Sequence, residues 1–240
     1  ELTWEDWATY IRYYYAFTTM IDNQIGRIID HLKKRGLLDN TVVIFAGDHG
    51  ESLGDHGGLF NKGWTHFEES QRIPFIIRMP DGSGSNTVSQ ELVSLVDFYP
   101  TILDLAGLDK ECMHQPRTPT MKWPYENAHS VDGHSVLPLV RGEKCQWRDS
   151  VVVEFHGLMH TPYTMRTLRQ GHFKYGFNFA ATDELYDLKN DPHEQVNLIS
   201  DTTYTDILQD LRFKLRDWMV EMHDPVLYCY QYTVLRNHLS

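Results

Sequence analysis

The sequence predicts an α/β fold that gives way in its last third to a smaller α+β subdomain. Three observations carry this. A long amphipathic helix runs directly into a short β-branched strand, a second apolar run follows a glycine-rich stretch, and several strand-like segments are then closed by one helix. The length of 240 residues fits one large domain, or one with a small appendage, at roughly 150 residues per domain. The expected division is 1–148 and 149–240.

The elements follow in order. From Trp7, the positions Ile11, Tyr14, Ile21, Ile25, Ile28 and Leu32 step by three and four, missing only at Thr18. That spacing predicts one long helix with a core-facing stripe, closed by Lys33, Lys34 and Arg35 in its last turn and by Gly36 as C-cap. Thr41 to Ala46 is apolar without alternation and predicts a strand buried on both faces. Gly47 to Gly63 is too polar and glycine-rich for regular structure. Ile73 to Met79 predicts a second buried strand, near a sheet edge because of Pro74. Asp81 to Asn86 is a solvated turn, and Leu95 to Leu108 reads as a helix with Pro100 in its first turn. Leu108 to Arg148 is rich in proline and polar residues and reads as a long surface excursion. Val151–Phe155, Thr164–Leu168 and Phe173–Phe177 are strand-like, with a turn at Gln170-Gly171. Asp183 to Leu188 adds a strand, ended by Asn190-Asp191-Pro192, and Thr205 to Met222 is a final amphipathic helix.

Composition excludes several classes. The 22 Lys+Arg against 33 Asp+Glu give a formal charge of −11, the wrong sign for a nucleic-acid surface. No apolar run approaches the ~20 residues that cross a bilayer. Cys112, Cys145 and Cys229 are odd in number and far apart, so neither a zinc ribbon nor a disulfide framework is expected. The chain opens on Glu1 rather than Met and runs straight into a helical pattern, as a cut end does.

The chemistry concentrates in Gly47-Asp48-His49-Gly50-Glu51-Ser52-Leu53-Gly54-Asp55-His56-Gly57-Gly58 and the following Asn61-Lys62-Gly63. The first Gly-Asp-His-Gly tetrad follows the strand, placing Asp48 and His49 at its carboxyl end, where ligands of open α/β sheets collect. A carboxylate oxygen and an imidazole nitrogen are ligands for a divalent cation. Taken alone, such a pair is more often a capped polar turn. Lys62, in a Gly-flanked loop downstream, tips the reading, because a fixed ammonium near a cation suits an anionic substrate. Asp55 and His56 are candidates for a supporting part only. Trp64 and His66 lie just past Lys62, where they would touch a leaving alcohol. His156, His160, Arg166 and Arg169 sit on the strand-rich third and read more readily as surface or salt-bridge residues.

These residues resemble the second signature block of type I, formylglycine-dependent sulfatases, in the alkaline-phosphatase superfamily. The resemblance rests on Asp48-His49-Gly50, Leu53-Gly54-Asp55-His56-Gly57, Lys62-Gly63 and Phe67 to Pro74. It extends to Ile21 to Arg27, Val96 to Thr101 and Glu184 to Pro192. It implies an alkaline-phosphatase-like sheet flanked by helices, with Asp48 and His49 as two ligands of a single metal, usually calcium. Lys62 would contact the sulfate and stabilise the departing ester oxygen. The family's nucleophile, a formylglycine made in a C/S-x-P/A-x-R motif, has no counterpart here, and Cys112 to Arg117 has the wrong spacing.

The resemblance therefore implies the C-terminal portion of a sulfatase. Its partners would be a small-molecule or glycan sulfate ester and the N-terminal half, on the same polypeptide or as a second chain. Calcium takes six to eight oxygen ligands, which one Asp and one His do not supply, so this stretch alone is expected to be inactive. A phosphonate monoester or phosphodiester hydrolase of the same superfamily is the nearest alternative, and a non-catalytic module binding sulfated glycans is another. A secreted, periplasmic or lysosomal setting would fit the family.

Overall fold

The computed structural model describes residues 2–62, 65–108, 132–157 and 163–236. Packing divides the chain into two units. One joins Glu1–Leu32, Ala46–Phe75 and Asp149–Ser240; the other joins Lys33–Phe45 and Ile76–Arg148. The secondary structure is mixed α/β, with a two-stranded sheet and a four-stranded antiparallel sheet.

The first unit contains most of helix α1 (Trp4–Lys34). Its start is fixed by a reciprocal cap: the Asp6 amide donates to Thr3 Oγ1 at 3.3 Å, and the Thr3 amide donates to Asp6 Oδ2 at 2.8 Å. The helix forms as its periodicity predicts, but the core stripe is not buried: no residue of α1 falls in the buried class. Tyr14, Ile21 and Ile28 stay 37%, 52% and 60% exposed. Its N-terminal turns meet neighbours in the same unit, where the Trp7 indole lies over Gly54 and the Tyr10 ring sits 5.4 Å from Phe60.

The last third of this unit is a meander of β3 (Ser150–Phe155), β4 (Met165–Gln170), β5 (Phe173–Asn178) and β6 (Glu184–Asp187), in sequence order and antiparallel throughout. Helix α6 (Thr205–Glu221) covers one face. Leu168, Tyr175, Phe177 and Leu185 from the strands meet Leu208, Leu211, Leu215 and Met219 from the helix, with Tyr230 from α7 (Leu227–Thr233). Each fully buried aliphatic side chain there contributes about 1.5–3 kcal/mol.

The period of two along β5 sends Lys174, Gly176 and Asn178 to the opposite face. Register pairs Thr167 with Gly176 and Arg169 with Lys174, making that face polar. It is nonetheless buried: Lys174 is 1% and Thr167 2% exposed. Residues 65–71, including the single turn α3 (Glu68–Gln71), lie across it. The Cβ of any residue at 176 would fall 2.5 Å from the His66 ring, so glycine is what admits the imidazole.

The second unit holds most of β1 (Val43–Ala46) and β2 (Phe75–Arg78), which pair with each other. Both strands form where expected. They are not buried on both faces among the described residues, since Phe45 is 37% and Ile76 60% exposed. A two-stranded sheet has too little surface to cover both faces of each strand. The expected helix at 95–108 begins with a 3-10 turn at Leu95–Asp97 and continues as α4 (Phe98–Leu105), with Pro100 in its first turn. Asp97 is fully buried. It accepts from the Ser94 and His134 amides at 2.8 Å each and takes a two-pronged contact from Arg148. A short α5 (Leu137–Val140) falls within the expected excursion, most of which, including Cys112 to Arg117, lies outside the described residues.

Candidate functional site

Asp48 and His49 follow β1 directly, and two backbone hydrogen bonds brace them. The Gly47 amide donates to Pro74 O at 3.2 Å, and the Gly50 amide donates to Ser70 O at 2.9 Å. At Gly50 a Cβ would fall 1.8 Å from Glu69 O, so the chain passes there only as glycine. The expected irregular stretch does contain one turn, α2 (Asp55–Gly58), though His56 (φ 50) and Gly57 (φ 81) within it are left-handed.

The His49 ring has a defined wiring. Its Nδ1 lies 2.8 Å from Gly50 O, and a carbonyl only accepts, so Nδ1 carries the proton. Nε2 is then the lone-pair nitrogen. It lies 3.3 Å from Asp48 Oδ2 and 2.7 Å from Lys62 Nζ, whose ammonium donates to it. Two lone-pair donors thus stand side by side with a cationic group against them. A metal-ligating histidine is fixed in the same way, its second nitrogen donating to a carbonyl. Asp48 is strongly exposed and His49 partly so, so both donors are presented outward.

Lys62 reaches His49 because the loop closes on itself. The Asn61 amide donates to Glu51 Oε1 at 2.7 Å, the Ser52 amide to Asn61 O at 3.3 Å, and the Gly54 amide to Leu59 O at 2.9 Å. His56 serves the loop in another way. Its ring stacks on Phe67 at 3.5 Å, and its Nε2 lies 3.3 Å from Glu69 Oε2. Asp55 opens the same turn, its backbone carbonyl accepting from the Leu59 amide at 2.9 Å.

Asp48, His49 and Lys62 therefore come together, whereas His66 does not join them. It is 1% exposed on the polar face of the sheet, with Nδ1 2.6 Å from Thr167 Oγ1 and Nε2 3.1 Å from Asn178 Oδ1. The Asn178 amide group donates to Thr182 O and Glu184 Oε1, which fixes its oxygen toward the histidine. Nε2 must then carry the proton, and Nδ1 accepts from the Thr167 hydroxyl. Burial pushes the imidazole below its ordinary value of 6.5, so the ring is neutral at pH 7. Both nitrogens are engaged within the protein, which leaves none to face a leaving alcohol. Trp64 and His160 lie outside the described residues.

Arg166 is fully buried against Asp224, with Nε–Oδ2 at 2.6 Å, and Arg169 pairs with Glu68 at 2.9 Å. His156 is exposed and pairs with Glu154 at 3.2 Å. Spacing along the chain does not foretell that Glu68, Lys174 and Glu194 meet beside His66. Lys174 Nζ lies 2.8 Å from Glu68 Oε1 and 2.7 Å from Glu194 Oε1, and donates to His66 O at 2.8 Å. The available signal was the alternation of β5, which sets Lys174 and Gly176 on one face. Burial pushes the Glu68 carboxyl up, but the Lys174 and Arg169 charges outweigh it and hold it below its ordinary value. Glu194 is raised, because burial prevails there over Lys174.

No group of three or more His, Cys, Asp or Glu side chains that would hold a metal occurs among the described residues. The donor set at Asp48 and His49 fits one edge of a cation site, with further ligands needed from elsewhere.

Residues 3–108 match the family model described as Sulfatase. The chain is 29% identical to an N-acetylglucosamine-6-O-sulfatase of Bacteroides thetaiotaomicron, over 93% of this chain and 38% of that protein. It is 31% identical to a multifunctional alkaline phosphatase superfamily protein of Trinickia caryophylli, over 94% of this chain and 44% of the relative. Among solved structures, it is similar to a protein in complex with its substrate D-glucosamine-2-N,6-O-disulfate. The TM-score is 0.77 with 28% identity, covering 92% of this chain and 42% of that one. It is equally similar, at TM-score 0.77 and 28% identity, to the phosphonate monoester hydrolase of Agrobacterium radiobacter, covering 91% and 43%. The chain thus spans about two fifths of the length of the relatives it matches.

Proposed function

The chain belongs to the sulfatase family of the alkaline-phosphatase superfamily, and from that premise we propose that it is the C-terminal portion of a sulfuric ester hydrolase. The observation that carries the reading is the outward-facing trio of Asp48 Oδ2, His49 Nε2 and Lys62 Nζ, held within 3.3 Å of the imidazole nitrogen.

Asp48 and His49 would hold one edge of a divalent cation, calcium in our reading, completed by ligands from an N-terminal portion. When bound, that cation polarises the oxygens of a sulfate ester. The Lys62 ammonium neutralises charge on the sulfate and on the ester oxygen as it departs. The Gly50 carbonyl holds the His49 proton on Nδ1 and leaves the lone pair on Nε2, which accepts from Lys62 and would turn to a cation when one is bound. The formylglycine nucleophile of such enzymes would come from the N-terminal portion. The substrate we propose is a sulfated sugar, and the similarity to a structure bound to a glucosamine disulfate supports it. Trp64, adjacent to the Lys62 loop, is the residue we propose to touch the leaving alcohol.

The phosphonate monoester hydrolase neighbour favours a second reading, because sulfate and phosphonate monoesters present similar tetrahedral oxyanions. One set of experiments tests both. The intact mass of the protein as its source makes it, with a denaturing gel, is expected to reveal a polypeptide near twice 28.1 kDa or a bound second chain. That complete protein is expected to turn over an aryl sulfate with calcium faster than an aryl phosphonate. The reverse preference overturns the sulfatase reading. A lone 28.1 kDa chain with neither activity leaves a sulfated-glycan-binding module, to be tested on a heparin column.

A further inference from the structure

The polar face of the four-stranded sheet does more than cover a strand. Among the described residues, segment 65–71 and the turn carrying Glu194 touch it from outside, as does the Tyr163 hydroxyl, which donates to Asn178 Oδ1. His66 inserts between Thr167 and Asn178 over Gly176. The Gln71 side chain donates to Thr167 Oγ1 at 2.7 Å. Glu68 takes Lys174 on one oxygen and Arg169 on the other, at 2.8 and 2.9 Å. Glu194 closes the cluster, accepting from the Glu68 amide at 2.6 Å with its second oxygen 2.7 Å from Lys174. Two cations and two carboxylates are thus balanced in a buried site, with the ammonium also bound to the His66 carbonyl.

Segment 65–71 is also the backing of the loop that bears Asp48, His49 and Lys62. Ser70 O receives the Gly50 amide, Glu69 meets His56, and Phe67 stacks on the His56 ring. We propose that Lys174, clamped between Glu68 and Glu194, is a positioning residue. Through it the C-terminal sheet fixes segment 65–71 and, by way of Gly50, sets the His49–Lys62 geometry. This rests on the reading of Asp48, His49 and Lys62 as the site, but its test does not use turnover.

The test is amide hydrogen exchange on the whole chain, comparing the wild type with the charge-balanced variant Lys174→Met/Glu194→Gln. The latch predicts exchange at least tenfold faster in peptides covering 47–62, with peptides of α6 (205–221) unchanged. A merely structural role moves both regions in step, and that outcome, like unchanged exchange in 47–62, overturns the proposal. Should the double variant lie unfolded at the assay temperature, Arg169→Met carries the same test at lower amplitude. It removes only the part-exposed outer partner of Glu68. If Lys62→Ala leaves turnover of the complete protein intact, the functional reading falls while the exchange result stands on its own.

Discussion

Two lysines of this protein sit in opposite settings. Lys62 projects from an exposed loop and shares its ammonium with one imidazole nitrogen. Lys174 is 1% exposed and held between two carboxylates and a carbonyl. The two histidines divide by setting: His49 is partly exposed and its Nε2 accepts from Lys62 beside Asp48, whereas His66 is buried with both nitrogens engaged inside the sheet. A charge left only partly satisfied near the surface is available for a ligand. One that is fully satisfied and buried serves the backbone it ties down.

This contrast is broken most forcibly at Lys174. Replacing it by Met leaves Glu194 without its cation and Glu68 with Arg169 alone, and urea unfolding of Lys174→Met should register a loss of about 3–5 kcal/mol. On the other face of the same sheet, Leu215→Ala removes a fully buried side chain of α6. It should cost about 2–5 kcal/mol by the same assay, with no faster local exchange in 47–62 once global unfolding is accounted for.

The histidines sharpen the comparison through pH. In the unfolded chain His66 titrates near 6.5; in the folded protein burial holds it lower. Below 6.5 the unfolded state therefore binds more protons, so the stability that the neutral ring contributes is full above that pH and declines as pH falls. Unfolding curves at pH 7.5 and 5.5 should show this decline, and His66→Gln should flatten it. The smallest stability effect belongs to Lys62→Met, within about 0.5 kcal/mol of wild type. The same change should lower turnover of the complete protein by roughly 10²–10³-fold, the scale of losing one preorganised charge partner.

Much of this was legible in the sequence, for identifiable reasons. Helix α1, the meander and α6 declare themselves because their periods are local properties of the chain. Asp48, His49 and Lys62 were legible because a strand end and glycine-flanked loop place them near one another. His66 departs from its expected place because nearness in sequence to Lys62 says nothing of direction. The imidazole enters a slot built by residues about 100 positions later. The same holds for Glu68 and Lys174, whose pairing is non-local. The periodicity of α1 is legible, but its stripe is not core-facing among the described residues, where Ile21 and Ile28 are exposed.

The glycine at 176 has a consequence for anyone redesigning this sheet. Positions 66 and 176 behave as a single locus occupied by one side chain, an imidazole entering from one element into the space left by the other. Filling the strand with a better sheet former, a routine step toward a sturdier scaffold, would evict His66. Eviction would cut its ties to Thr167 and Asn178 and loosen the segment that backs the loop. Substitution at either address is therefore a substitution at both, and a library that varies them independently would sample mostly broken combinations.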